Sequence, residues 1–267
     1  MSLDLFGIRS VLFLPASNPR AIAKAREAGS DLVILDLEDA VKPEDKDSAR
    51  AAALEAVAEP WPMPVAIRIN GAGTAWHGQD LVAATHCTAD LIVVPRVEDA
   101  EELAFVRKQS GKPVAAMIET AKGVMAVHSV TRDCAALIAG TNDLRSDLRL
   151  PLGIGREAIS TALQLIVLAA RAAGIAVFDG VYNRLDDLGG FISEAEEGRR
   201  LGFDGKSLIH PNQIEPCHRA FAPAEAELER ARRLVEAFQG GAELFDNEMI
   251  ERMHVEQAER LLARARS

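Results

Sequence analysis

Eight short apolar runs, separated by longer amphipathic stretches, constrain the fold of this chain more than any other feature. The runs are SVLFLP at Ser10–Pro15, DLVILDL at Asp31–Leu37, VAIRI at Val65–Ile69, LIVVP at Leu91–Pro95, PVAAMI at Pro113–Ile118, ALIAG at Ala135–Gly140, IAVFDG at Ile175–Gly180 and KSLIHP at Lys206–Pro211. Several are apolar at consecutive positions, as strands that are covered on both faces require. Helical patterns such as Glu157–Ala173, which Gly174 closes in the position of a helix C-cap, lie between the runs.

Eight strand–helix units of this kind predict an α/β fold, a (β/α)8 TIM barrel. The chain has 267 residues, of which 48% are hydrophobic, so it can build a core of the size that such a barrel needs. A doubly wound open sheet is the alternative. It is less favoured because no glycine-rich phosphate-binding fingerprint follows any of the runs.

The pattern changes at about Pro223, which suggests a second region. A charged helical pattern covers Ala224–Phe238, Gly240 and Gly241 interrupt it, and a last helical pattern covers Val255–Ala265. We therefore expect a catalytic barrel domain over residues 1–222 and a C-terminal helical extension over residues 223–267. Because the extension is too short for a domain with its own core, we expect it to pack on the barrel or on a neighbouring subunit.

Charge and composition argue against several classes of partner. The 30 basic and 40 acidic residues give a net charge of −10, which disfavours nucleic acids and anionic membranes. The N-terminal segment lacks the basic start of a signal peptide, and no run of eighteen apolar residues occurs. The three cysteines, Cys87, Cys134 and Cys217, form no paired motif. We therefore expect a cytoplasmic protein with reduced thiols.

Polar or charged groups lie in or at the end of six of the eight runs, where a barrel enzyme has its active site. They are Asp36, Glu38 and Asp39 at the second run, Arg68 and Asn70 at the third, Glu119 and Thr120 at the fifth, Thr141, Asn142 and Asp143 at the sixth, Asp179 and Tyr182 at the seventh, and His210 at the eighth. Several of these residue types are also ordinary helix N-caps. Capping does not require Glu38, Arg68 or Glu119 beside apolar strands, so the set favours an active site.

Glu119 and Asp143 end successive runs, so adjacent strands should bring them to one rim of the barrel. Two carboxylates this close repel each other unless one is protonated or a cation lies between them. A pair of carboxylates with open positions suits Mg²⁺, which keeps water and takes substrate oxygens. The alternatives are two carboxyl groups that share a proton or two exposed caps.

Arg68 lies within an apolar run, where an arginine is rarely left unpaired. Asp36 on the neighbouring run is in a position to orient it. A planar guanidinium near a metal suits a carboxylate or enolate substrate, whereas the structural alternative is an ion pair with Asp36 or Glu38. Both roles are compatible with each other.

Seven motifs together carry a resemblance to a known family. In chain order they are RSVLFLPASNPR, LDLEDAVKPEDKDSAR, RIN, PRVED, IETAKG, GTNDL and GFDGKSLIHPNQI. Between about Arg9 and Gln213 the chain resembles the citrate lyase beta subunit family, which includes malyl-CoA and citramalyl-CoA lyases within the HpcH/HpaI aldolase superfamily. The resemblance implies a homotrimeric TIM barrel and an Mg²⁺-dependent lyase. Such an enzyme cleaves a 3-hydroxy-3-carboxyacyl thioester to an acyl thioester and a 2-oxo acid.

The resemblance also implies roles for individual residues. Glu119 and Asp143 match the Mg²⁺ ligands, Arg68 the group that polarises the carbonyl oxygen at the cleaved bond, and Gly140, Thr141 and Asn142 the cradle for the substrate carboxylate. We group Asp36 and Glu38 with Arg68 as catalytic. The expected contacts of the coenzyme A thioester are Phe13, Arg20, Lys24, Asp45, Lys46, Asp47, Ser48, Val181 and Tyr182.

The tail departs from the family pattern at one catalytic position. Lyases that act on CoA esters carry an aspartate in a motif like MIDxP, which reaches into the next subunit, whereas this chain has Glu251 in Met249–Met253. Either Glu251 serves as the catalytic carboxylate that protonates the enolate, or the tail has another role and the activity is weak or different. Two alternatives remain open: a malate-synthase-like condensation with glyoxylate, and a non-catalytic subunit that binds CoA or oxo acids. A citrate lyase would also work with an acyl-carrier partner.

Overall fold

A computed structural model describes residues 3–264 and contains a closed barrel of eight parallel strands within that range. The strands are β1 Ser10–Pro15, β2 Leu32–Asp36, β3 Val65–Arg68, β4 Leu91–Val94, β5 Val114–Ile118, β6 Ala136–Ala139, β7 Ala176–Asp179 and β8 Gly205–Leu208. Each pairs with its neighbour in chain order, and β8 pairs with β1 to close the barrel. The predicted (β/α)8 barrel is confirmed, and each strand begins within one residue of the start of its apolar run.

Helices connect the strands and lie outside them. They are α1 Pro19–Ala25, α2 Lys46–Ala58, α3 His77–His86, α4 Ala100–Ser110, α5 Ala121–Val130, α6 Thr141–Asp147, α7 Ser160–Ala173, α8 Leu188–Leu201 and α9 Ile214–Phe221. Gly174 ends α7 in the left-handed conformation, as the sequence predicts. Between residues 3 and 264, no helix combines the length and the apolar character needed to cross a membrane.

Alternate residues of the strands fill the interior of the barrel. Leu32 and Ile34 of β2, for example, belong to the central cluster, which also includes Phe178 of β7. Leu5 and Ile8 of the N-terminal segment pack against the same cluster. The intervening residues Val33 and Leu35 are also fully buried, because the helices cover the outer face of the strands. Burial on both faces explains why the runs show no alternation of apolar and polar residues.

The register of the strands determines which residues meet at the carboxyl-terminal rim. Asp36 at the end of β2 pairs with Arg68 at the end of β3. Ile118 of β5 pairs with Ala139 of β6, so the residues that follow them, Glu119 and Gly140, are neighbours. The rim therefore carries charged groups because these strands end in register.

The chain divides into two compact units, residues 1–220 and residues 221–267. The second unit contains α10 Glu225–Ala237, a hairpin of β9 Glu243–Phe245 and β10 Glu248–Ile250, and α11 Arg252–Arg264. Ala265, where the sequence pattern ends the last helix, lies outside the described residues.

The second unit has a small hydrophobic core of its own, which corrects the expectation drawn from its length. Leu234, Ile250, Val255 and Ala258 form the buried part of this core. The hairpin was not predicted, although Asp246 and Asn247 carry its signal. Their φ angles of 49° and 64° are those of a two-residue turn that fits the twist of paired strands.

Candidate active site

A cavity of about 410 Å³ opens at the carboxyl-terminal end of the barrel. Its walls include side chains from β1, β2 and β3 and from the segments that follow β5, β6 and β7. Of the residues singled out from the sequence, the cavity brings together Phe13, Asp36, Arg68, Glu119, Gly140, Thr141, Asn142, Asp143 and Val181. Because these residues come from six strands, the fold alone brings them together.

Arg68 is held by two carboxylates at the wall of this cavity. Its Nε and Nη2 atoms donate to the two oxygens of Asp36, each at 2.6 Å. Its Nη1 lies 2.8 Å from Oε2 of Glu38. Burial works against the charged guanidinium, but the charge and hydrogen bonds of Asp36, together with the charges of Glu38 and Glu119, outweigh burial and raise the pKa of Arg68 above its ordinary value. Asp36 also accepts the backbone N–H groups of Glu38 and Ala40, so it is a positioning residue for Arg68 and for the start of the next loop.

Glu38 holds a proton more tightly in this environment than an ordinary glutamate does. Burial raises the pKa of its carboxyl group to about 8, and the charges of Asp39 and Glu119 add to the increase, although Arg68 opposes it. A carboxyl group with this pKa can hold a proton near neutral pH and release it in mild base.

Glu119 follows β5 and is almost completely buried, with 3% of its surface exposed. Its Oε1 accepts the backbone N–H of Arg96 at 2.6 Å. Burial raises the pKa of Glu119 to about 7, Arg68 opposes the shift, and Asp143 adds to it. Gly140 is required beside this side chain, because a Cβ at that position would lie 2.2 Å from Oε2 of Glu119.

Asp143 lies in the first turn of α6. It is three residues after Gly140, the last residue of the sixth apolar run. It is half-buried. Burial raises the pKa of its carboxyl group, and the nearby charge of Asp39 raises it further, against Arg96 and Arg68. The guanidinium of Arg96 lies 3.3 Å from Oδ1 of Asp143.

These carboxylates fit a divalent cation that takes oxygen ligands. Burial raises the pKa of both carboxyl groups, the charge of Asp143 raises that of Glu119 further, and a bound cation would offset this cost of ionisation. Among the described residues, no group of three or more His, Cys, Asp or Glu side chains is arranged to hold a metal. Two protein carboxylates match Mg²⁺, which is commonly bound by one or two carboxylates with water and substrate as further ligands.

The segment after β6 meets the loop after β7 at the mouth of the cavity. The side-chain amides of Asn142 and Asn183 donate to each other, at 3.2 and 2.7 Å. Thr141 is buried against Gly180, where a Cβ would lie 2.4 Å from the threonine Oγ1. The expected carboxylate cradle is thus braced from the neighbouring strand.

The expected CoA contacts divide into two groups. Phe13 and Val181 line the cavity, and the ring of Phe13 lies 5.3 Å from the Arg68 guanidinium. The hydroxyl of Tyr182 donates to Asp187, while Arg20 and Lys24 are exposed on α1. A thioester that leaves the cavity near Phe13 would pass Phe13 and Val181 before it reaches the exposed residues Arg20 and Lys24.

Lys46 is a correction to the expected CoA contacts. Its side chain is buried, and its Nζ donates to the carbonyl oxygens of Leu37 and Glu38 and to Oδ1 of Asn70, each at 2.7 Å. An ammonium group has three donors, so all of them are used inside the protein. Lys46 stabilises the loop after β2 and does not offer its charge to a ligand.

The other residues of that segment are accessible or nearly so. Asp47 pairs with Arg50 at 2.8 Å, and the hydroxyl of Ser48 donates to the carbonyl oxygen of Asp45. They open α2 at the surface, and their contact with CoA stays a prediction.

Two residues of the site, Arg96 and Asn183, were not singled out from the sequence, and Asp39 was singled out at the end of the second run without a role of its own. Asp39 and Asn183 line the cavity, and Arg96 contacts both Glu119 and Asp143. Asp39 and Arg96 lie within the motifs DLEDAV and PRVED, so the sequence carried a signal for them. Asn183 follows β7 by four residues, and its pairing with Asn142 has no sequence signal.

Glu251 directly follows β10 in the second unit and is exposed. Its backbone N–H donates to Nδ1 of His254. The apolar residues around it differ in exposure: Ile250 is buried in the core of the unit, whereas Met249 and Met253 are exposed. Its role as a proton donor stays a prediction.

The chain is similar to known proteins over most of its length. Residues 9–211 match the family described as HpcH/HpaI aldolase/citrate lyase. The (3S)-malyl-CoA thioesterase of Cereibacter sphaeroides (strain ATCC 17029 / ATH 2.4.9) is 38% identical over 96% of this chain and 94% of its own length. Citrate lyase subunit beta of Leuconostoc mesenteroides subsp. cremoris is 33% identical over 95% of this chain and 92% of its own.

A solved structure has the same fold along almost the whole chain. Protein CitE from Mycobacterium tuberculosis, in complex with magnesium, acetoacetate and coenzyme A, has a TM-score of 0.88 and 31% identity. The match covers 98% of this chain and 100% of that protein's chain.

Proposed function

The chain belongs to the HpcH/HpaI aldolase/citrate lyase family, and from this premise we propose that it is an Mg²⁺-dependent carbon–carbon lyase. Its substrate is a 3-hydroxy-3-carboxyacyl thioester of the citryl, citramalyl or malyl type. The products are an acyl thioester and a 2-oxo acid. The observation that carries the proposal is the placement of Arg68, Glu119 and Asp143 around one cavity.

The dimensions of the cavity support a small acidic substrate. A volume of about 410 Å³ is at the lower end of the range for small-molecule sites, enough for the hydroxy-acid part of the thioester. The CoA part would extend outwards past Phe13 and Val181. The similar structure that holds magnesium, acetoacetate and coenzyme A supports a site that takes a metal, a small oxo acid and CoA together.

Glu119 and Asp143 would hold Mg²⁺, which supplies Lewis-acid stabilisation of the oxygens of the oxo acid. Arg68 donates to the oxygen that becomes a carbonyl when the bond breaks. Asp36 holds one edge of this guanidinium through Nε and Nη2, so the orientation of the group is already fixed when substrate arrives. The backbone at Gly140, Thr141 and Asn142 orients the substrate carboxylate.

Two proton transfers complete the reaction. The alcohol proton of the substrate must leave, and the enolate of the acyl thioester must gain a proton. We assign the first transfer to the ionised form of Glu38, which adjoins Arg68. With a pKa of about 8, a minor fraction of this carboxyl group is ionised at neutral pH and can accept the proton, and the fraction grows in mild base. We assign the second to Glu251. As in the lyases that this chain resembles, the extension of one subunit would cover the barrel mouth of the next in a homotrimer.

Glu251 is tested by charge removal and by complementation between subunits. Glu251→Gln should retain oxo-acid binding and trimer mass but lose cleavage, and Glu251→Asp should keep part of the activity. Mixed trimers of Glu251→Gln and Arg68→Ala protomers should regain activity, because some sites then contain both groups. Full activity of Glu251→Gln would exclude the catalytic role, and inactive mixed trimers of confirmed mass would exclude action between subunits.

The reaction is tested with citryl, citramalyl and malyl thioesters, each as a CoA ester and as an acyl-carrier conjugate. Cleavage is followed by the 2-oxo acid released, with Mg²⁺ and with excess chelator. The proposal expects Mg²⁺-dependent release from at least one thioester. Absence of any 2-oxo acid from a folded protein that binds Mg²⁺ would contradict it.

Thioester hydrolysis is the second candidate, because the Cereibacter sphaeroides relative is named a (3S)-malyl-CoA thioesterase. Hydrolysis leaves the carbon–carbon bond intact and releases free malate and CoA thiol. The malyl-CoA assay distinguishes the two reactions, since a lyase produces glyoxylate and no additional thiol. Thiol release without glyoxylate would select hydrolysis.

A further inference from the structure

Arg96 follows β4 and has a backbone conformation that residues other than glycine rarely adopt. Its φ angle is 48°, in the left-handed region. Apart from Arg96, three residues other than glycine have positive φ among the described residues, namely Arg149, Asp246 and Asn247. A long side chain is disfavoured in this region, so the surrounding structure must hold Arg96 there.

The left-handed conformation directs the backbone N–H of Arg96 at Glu119. The nitrogen lies 2.6 Å from Oε1, and the acceptor is a buried carboxylate. The next residue, Val97, donates its N–H to the carbonyl oxygen of Met117 on β5. Before the contact, Val94 of β4 pairs with Ala116 of β5. The segment is therefore anchored to β5 on both sides of Arg96, which fixes the Glu119 side chain relative to its own strand.

The side chain of Arg96 faces the other carboxylate of the pair. Its guanidinium lies 3.3 Å from Oδ1 of Asp143, and the two side chains are 49% and 38% exposed. By contrast, Arg68 is buried and its donors go to Asp36 and Glu38. An exposed ion pair at this distance is weak, so Arg96 can leave Asp143 at small cost.

We propose that Arg96 is a positioning residue whose backbone holds Glu119 in its ligating orientation and whose guanidinium is a counter-ion that a divalent cation displaces from Asp143. The inference rests on the proposed metal site. It goes further by giving one residue two opposite effects on metal affinity: the backbone increases it and the side chain decreases it. Variants at this position can separate the two effects.

The test is calorimetric titration with MgCl₂ alone, without substrate. Arg96→Gly keeps the backbone conformation, since glycine adopts positive φ freely, and removes the competing charge. It should bind Mg²⁺ about fivefold more tightly than the parent, in line with loss of a weak exposed ion pair. Arg96→Ala also removes the charge but disfavours the conformation, so it should bind more weakly than Arg96→Gly. Arg96→Lys keeps a cation and should stay within about twofold of the parent.

Arg149→Gly is the matched control. Arg149 has a φ angle of 55°, lies two residues beyond the end of α6 and is exposed. The substitution relieves the same kind of strain away from the cavity, so Mg²⁺ affinity should not change. A gain equal to that of Arg96→Gly would show a general effect of strain and overturn the proposal.

The remaining outcomes are also decisive. Equal or weaker Mg²⁺ binding by a folded Arg96→Gly would overturn the counter-ion role. Equal affinities of Arg96→Gly and Arg96→Ala would overturn the backbone role. Glu119→Gln should abolish binding in the parent background. If Glu119→Gln still binds Mg²⁺, the proposed metal site is wrong. If Glu119→Gln loses Mg²⁺ binding but Arg96→Gly has the affinity of the parent, only the role of Arg96 is rejected.

Discussion

At the amino-terminal end of the barrel, Asp31 accepts the backbone N–H groups of Arg9 and Ser10 on one oxygen, and Nε2 of His218 lies 3.2 Å from the same atom. At the carboxyl-terminal end, Glu119 accepts the backbone N–H of Arg96 and faces Asp143. Burial opposes ionisation at both ends. The hydrogen bonds outweigh it at Asp31, whose pKa falls to about 2, but not at Glu119, whose pKa rises to about 7.

The difference separates stability from function within one barrel. Asp31 is ionised and satisfied by the protein itself, so it stabilises the fold at neutral pH. Glu38, Glu119 and Asp143 have raised pKa values, so their ionised forms oppose folding until a ligand arrives. Perturbed carboxylates of this kind are typical of functional sites.

The largest expected effect, on ligand binding and on stability, comes from removing one carboxylate charge at each end of the barrel. Glu119→Gln and Asp143→Asn should each abolish Mg²⁺-dependent binding of oxaloacetate, because a neutral amide is a poor ligand for a hard cation. Their metal-free forms should be at least as stable as the parent, since a repulsive charge is lost. Asp31→Asn should do the reverse: it should keep binding and lose stability. Calorimetry and chemical unfolding measure the two quantities.

Two results would break this comparison. Unchanged oxaloacetate binding in both Glu119→Gln and Asp143→Asn would remove the metal assignment. Loss of binding in Asp31→Asn, with the fold intact, would show that the two ends are not independent.

Arg68→Lys should lower the rate of cleavage by about a hundredfold, which corresponds to about 3 kcal/mol of transition-state stabilisation. A lysine keeps the charge but cannot hold both oxygens of Asp36 while it donates to substrate. Steady-state kinetics with the best thioester measure the effect. A rate within threefold of the parent, together with a loss of stability, would make the pair of Arg68 and Asp36 structural, like the contacts at the opposite end.

The barrel was predictable because strands buried on both faces leave unbroken apolar runs. Glu119 and Arg68 were predictable for the same reason, since a charged residue beside such a run must lie at the rim of the barrel. Lys46 was not assigned correctly, although it lies on the buried face of α2 together with Ala49 and Ala53. The helical spacing of Lys46, Ala49 and Ala53 predicts that Lys46 is buried, but its positive charge suggested a contact with an anionic ligand.

Loop geometry accounts for most of what the sequence did not provide. The left-handed conformation of Arg96 and the pairing of Asn142 with Asn183 depend on how loops from separate strands meet. Neither has a periodic pattern. The core of the second unit was missed because the estimate from length ignored the hairpin, which supplies Ile250 to that core.

The affinity for Mg²⁺ should depend on pH because the metal and a proton compete for Glu119. With a pKa of about 7, the carboxyl group is roughly 10% ionised at pH 6 and 90% at pH 8. The dissociation constant should therefore fall by about tenfold between these values. Titrations at pH 6, 7 and 8 measure it. A constant affinity across this range would show that Glu119 is ionised throughout, as Asp31 is, and would remove the contrast between the two ends.

The smallest expected effect is the acid dependence of stability at the amino-terminal end. The folded pKa of Asp31, about 2, lies below its ordinary value of 3.8, so the stabilisation is present above pH 4 and is lost as the pH falls towards 2. Asp31→Asn should therefore lower the free energy of unfolding by about 1 to 2 kcal/mol at pH 7 and by much less near pH 2. Urea unfolding at both pH values measures the loss. Asp90→Asn is the control, because the exposed Asp90 accepts a single backbone N–H, that of Val65, and should cost about 0.5 kcal/mol or less. Equal losses for Asp31→Asn at the two pH values would show that shape, not charge, accounts for the stabilisation.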